Sequence, residues 1–121
     1  MKARESALRL KRFEADEKAR KIADLEHMIR EFDNMAAALD RQIRAEEDRT
    51  GIKDPTHFAY STFAKSASLR RDNLRTSADG LRAKFEATQR EIAEALEQVA
   101  RAETSETRAE LRSRRPYWVL R

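Results

Sequence analysis

Apolar residues recur along the first half of the chain at Ile22, Leu25, Ile29, Phe32, Ala36, Leu39 and Ile43, in alternating steps of three and four. A period of about 3.5 residues keeps one stripe of an α-helix turned toward a partner, which is the pattern of a coiled-coil seam. With Ile22 at position a of the heptad, Lys18 and Lys11 fall at d, so the seam turns polar toward the N-terminus until Leu8 rejoins it. Leu10 and Phe13 lie off the seam on another face. A second seam runs through Leu74, Ala78, Leu81, Phe85, Thr88, Ile92, Ala95, Val99 and Ala102. Asp79-Gly80 lies inside it and would signal a turn on its own. The register crosses it without a slip, which predicts one continuous helix in which Gly80 costs about 1 kcal/mol. Acids placed four residues ahead of bases (Asp16 with Arg20, Glu17 with Lys21, Glu26 with Arg30, Asp40 with Arg44) add about 0.2–0.5 kcal/mol per pair.

Between the two seams lies TGIKDPTHFAYS, Thr50 to Ser61, with one of the two glycines and one of the two prolines. Gly51 suits the positive-φ position that closes a helix. Asp54-Pro55 reads as a cap and first residue of a short helical turn through His57 and Phe58, and Ser61 or Thr62 can cap the second helix. One interruption between two amphipathic helices predicts an all-α fold, two long helices in an antiparallel coiled-coil hairpin. The expected parts of this single domain, residues 1–121, are helix 1 over about 3–48, a bend over 49–61, helix 2 over about 62–112 and a tail over 113–121. The seams align best with Ala36 opposite Leu74, Phe32 opposite Ala78, Ile29 opposite Leu81 and Leu25 opposite Phe85, which sets small against large in two layers. Ile52, Phe58, Tyr60 and Phe63, with Leu69 nearby, gather large apolar groups at the bend. They either plug the end of the hairpin or stand exposed and dock a partner.

Composition narrows the class further. Ala, Glu, Lys, Arg and Leu make up 70 of 121 residues, above the half that marks coiled coils and long helices. Charged residues form 40% of the chain, which leaves a thin two-helix seam rather than a thick core to be buried. The absence of cysteine excludes disulfides and thiolate metal sites and fits a reducing cytosol. The first residues, MKARESALRLKRFEADEK, have no apolar run of a secretory signal, and no stretch approaches the roughly 20 apolar residues of a membrane span. The expected location is cytoplasmic.

No catalytic constellation is present, and an enzyme is not expected. His27 falls on an outward f position, and His57 sits in the bend with Asp54 and Tyr60 as polar neighbours. No spacing of His, Asp and Glu matches a zinc or calcium site, and there is no glycine-rich phosphate loop. Neither cofactor nor small-molecule substrate is expected. The net charge of +4 is uneven: Arg108 to Arg121 alone carries five arginines against Glu110. The tail RSRRPYWVLR could contact nucleic acid or an anionic membrane, but a body of neutral balance makes nucleic acid a poor partner.

ALRLKRFEADEKARKIADLE at the start, TGIKDPTHFAYSTFAKSA at the bend and LRRDNLRTSADGL after it resemble the FliJ family of flagellar type III export proteins, in its short alphaproteobacterial form. The resemblance covers roughly residues 1–103, and the bend is its most specific part. It implies a cytoplasmic coiled-coil stalk or escort that binds and promotes the hexameric export ATPase. The partners it implies are that ATPase, a membrane protein of the export gate and the export chaperones, with membrane association only through them. On this basis Ile52, Phe58, Tyr60, Phe63 and Leu69 at the bend, and Leu10 and Phe13 near the N-terminus, are the candidate partner-binding residues. The alternative is a generic coiled-coil adaptor or nucleic-acid-associated protein.

Overall fold

The computed structural model describes residues 2–114 and consists of two helices, α1 (Lys2–Thr50) and α2 (Thr62–Ser113). The all-α antiparallel hairpin expected from the two seams is what the chain adopts. Both helices run a residue or two beyond their predicted ends, and the bend shortens to 51–61. Thr50 stays helical because Gly51, at φ +74, sends its N–H back to the Glu47 carbonyl at 2.8 Å. That bond closes the last helical turn and reverses the chain immediately after it. α2 passes through Gly80 without a break. The tail expected over 113–121 lies outside the described residues from 115 onward.

The chain forms two compact units. The loop unit spans Ala23–Glu86; the terminal unit joins the chain up to Ile22 with the chain from Ala87 onward. Within the loop unit the seam is rich in large side chains. Ile43, Ala64 and Ala67 form a buried cluster with Leu39 and Tyr60 packed against it, and Leu25, Ala36 and Ala78 are buried further along. The Arg71 guanidinium meets Asp40, one turn beyond Ala36 on α1 and three residues before Leu74 on α2. Ala64 and Ala67 continue the α2 seam toward the bend and let α1 approach closely.

Within the terminal unit the buried positions are Leu8, Ala15, Ala95 and Thr88, mostly small. Lys11 and Lys18, the polar seam positions, are half-buried, and Lys18 Nζ reaches Glu91 Oε2 at 3.4 Å. Long basic side chains can pack their stems along a seam while the charge stays wet.

The surface ion pairs differ in part from the predicted set. Arg30 faces Glu26 at 3.9 Å as expected, but Arg20 bonds Glu17 at 2.7 Å, three residues back. Asp40 turns across the seam instead of along α1, accepting from Arg71 at 2.6 Å and Arg75 at 2.5 Å. A guanidinium on the facing helix offers Asp40 a partly dehydrated partner, which outweighs the solvated local pair with Arg44.

Candidate functional site

The bend is built from its own hydrogen bonds. Asp54 Oδ1 accepts from the Thr56 N–H at 2.9 Å and the Thr56 hydroxyl at 2.8 Å, which holds its carboxyl below the usual carboxylate range. The His57 N–H bonds the Asp54 carbonyl and the Tyr60 N–H bonds the His57 carbonyl, both at 3.0 Å. The segment is therefore two consecutive tight turns, not the short helical turn expected from Asp54-Pro55. Two turns carry the chain across the hairpin end with no positive φ outside glycine.

Ser61 caps α2. Its Oγ accepts the Ala64 N–H at 3.2 Å and donates to Glu46 Oε1 at 2.9 Å, so one hydroxyl both starts α2 and ties it to α1. Arg49 grips the same Glu46 carboxylate with two nitrogens, and together with Ser61 it pulls the Glu46 carboxyl down. Beside this node the Tyr60 hydroxyl donates to Glu47 Oε2 at 3.0 Å. Burial and the neighbouring Glu47 charge raise the Tyr60 phenol. Nothing in the sequence pattern announces the Glu46–Ser61 and Glu47–Tyr60 ties. Two adjacent acids at a helix end look like solvated charge until the bend brings the hydroxyls to them.

The structure divides the candidate docking residues. Tyr60 is a plug, packed on the Ile43 cluster with its hydroxyl engaged, and Ile52 is half-buried with its N–H bonded to Thr50 Oγ1. Phe58 is the opposite case, 96% exposed, with the His57 ring stacked against it at a centroid distance of 4.7 Å. Phe63 and Leu69 on the first turns of α2 are also exposed. Phe63 forms one wall of a shallow groove over Leu39 and Ala67, closed on its other sides by Gln42, Ser66 and Arg70.

His57 accepts the Ala59 N–H on Nδ1 at 3.0 Å, so its ring proton resides on Nε2. His27 faces solvent on α1 with Nε2 3.1 Å from Glu31 Oε1. In the terminal unit Leu10 and Phe13 stand on the outer face of α1, each 58% exposed, as their off-seam positions predict. Among the described residues no three His, Asp or Glu side chains gather in a way that could hold a metal ion, and no helix is long and apolar enough to cross a membrane. No protein family, curated relative or solved structure matches this chain.

Proposed function

We propose that this protein is a FliJ-like component of a flagellar type III export apparatus, a coiled-coil stalk or escort that binds the hexameric export ATPase and links it to the export gate and to chaperones. The observation that carries this reading is the bend. The stretch TGIKDPTHFAYS, the most specific part of the resemblance, is also where a tightly bonded loop leaves Phe58 standing in water, with Phe63 and Leu69 exposed early in α2. An aromatic held on a rigid loop is a low-entropy anchor for a partner's pocket. Leu10 and Phe13 supply the second contact, to the ATPase. The peripheral cytoplasmic location belongs to the same proposal.

Co-elution with the export ATPase and with the soluble part of the gate protein tests the reading. Binding to the gate that is lost in Phe58→Ala, with helicity intact, supports it. Failure of the folded protein to bind either partner would reduce it to a coiled-coil adaptor of another system.

A further inference from the structure

The seams of the two units bury different things. In the loop unit the α1 seam positions are Leu25, Ile29, Phe32, Ala36, Leu39 and Ile43, all large but Ala36 and none of them exposed. In the terminal unit the same stripe of α1 reads Arg4, Leu8, Lys11, Ala15, Lys18 and Ile22, where only Leu8 and Ile22 are large and apolar. On α2 the stripe of this unit has Ile92 and Val99 as its large apolar members, among Thr88, Glu106 and alanines. Apolar area removed from water holds paired helices together, at about 25 cal/mol per Å². The same length of pairing is therefore held far more weakly in the terminal unit.

The polar ties differ in the same sense. The loop unit is shut by the chain reversal at Gly51, by Ser61 bonding Glu46 and by Tyr60 bonding Glu47. Further along it, Asp40 and Asp33 of α1 hold Arg71, Arg75 and Arg82 of α2. The cross-helix pairs of the terminal unit include Arg12 with Glu103, each about half exposed, and Lys18 with Glu91 at 3.4 Å. Pairs this open to water contribute little. Helices joined through small side chains and solvated charges stand at the low end of local stability.

We propose that the terminal unit is a clamp that opens on its own: α1 up to Ile22 and α2 from Ala87 part in one cooperative step while the loop unit stays paired. Lys11 and Lys18 set how easily it opens, since each occupies a seam position that leucine would fill and carries its charge out to water instead. The two states offer different surfaces. Closed, the unit presents Leu10 and Phe13 on the outer face of α1; open, it adds the seam side chains Leu8, Ile22, Ile92 and Val99. This goes beyond the proposed export role and requires none of the partners named there.

Amide hydrogen exchange of the full-length protein alone, followed by mass spectrometry, tests the clamp. A short helix parted from its partner is marginal in water, so opening is read as exchange in both helices at once. The expected profile is low protection over 8–22 and 88–106, nearly level within each stretch and matched between them, with a step up on entering 25–46 and 64–85. Lys11→Leu with Lys18→Leu should slow exchange over 88–106 by about tenfold and leave 25–46 and 64–85 as they were. Lysine and leucine have similar helix propensities, and 88–106 is unchanged in the variant, so slowing there reports pairing across the seam. Protection that declines smoothly toward the helix ends, with no step near Ile22 and Ala87, would show fraying and overturn the proposal. Equal protection in the two units, or no slowing over 88–106 in the double variant, would also overturn it.

Discussion

Asp40 and Arg71 meet across the seam of the loop unit, Oδ1 to Nη1 at 2.6 Å, with only about a fifth of each side chain exposed. Arg71 occupies a seam position where the pattern wants an apolar residue, and Asp40 is what makes that tolerable. The Arg71 hydrogen bond, aided by the charges of Arg75 and Arg71, holds the Asp40 carboxyl below its ordinary value.

A carboxylate depressed in the folded state contributes stability that is complete above the unfolded pKa and is lost as pH falls through the folded one. The melting temperature of the native chain should therefore exceed that of Asp40→Asn at neutral pH. The difference should shrink as pH drops below about 4, the ordinary Asp range. A difference independent of pH would contradict the assignment of the ion pair.

The two glycines should respond to alanine with opposite signs, although a Cβ at either meets nothing within 4 Å. Gly80 lies mid-helix, where alanine gains about 1 kcal/mol of helix propensity, a rise of about 4 °C in melting temperature. Gly51 sits at φ +74, where alanine is strained by about 1–2 kcal/mol. Thermal melts of Gly80→Ala and Gly51→Ala decide it, and changes of the same sign would contradict the backbone account.

Phe58 and Tyr60 stand two residues apart but should behave as different kinds of residue. Phe58→Ala should change stability by less than about 0.5 kcal/mol, as for an exposed side chain without contacts in the seam. Tyr60→Ala should destabilise by about 2 kcal/mol, since it removes packing on the Ile43 cluster and strands Glu47. Urea unfolding of the two variants separates plug from anchor; equal losses would merge them again.

The helices were legible in the sequence because a seam repeats. Each of Leu25, Ala36 and Ile43 restates the same period, and Gly80 could not interrupt what residues on both sides agreed upon. Gly51 was legible for another reason, since few positions other than a helix end reward a positive φ. The bend was less so. Ile52, Phe58, Tyr60 and Phe63 look alike as a string of apolar residues, and only the geometry of two tight turns decides that Tyr60 folds inward while Phe58 points out. The cross-seam choice of Asp40 was also hidden, because local i,i+4 spacing with Arg44 is visible in one dimension and the approach of Arg71 is not.

The central claim, that this chain serves a flagellar export ATPase, is tested most directly by steady-state ATP hydrolysis by that ATPase with and without the protein. Sizing of the ATPase in the same samples shows its assembly state. The account predicts stimulated hydrolysis together with a shift toward the hexamer, and weaker stimulation by Leu10→Ser with Phe13→Ser. Unchanged hydrolysis and unchanged assembly in the presence of fully helical protein would contradict it.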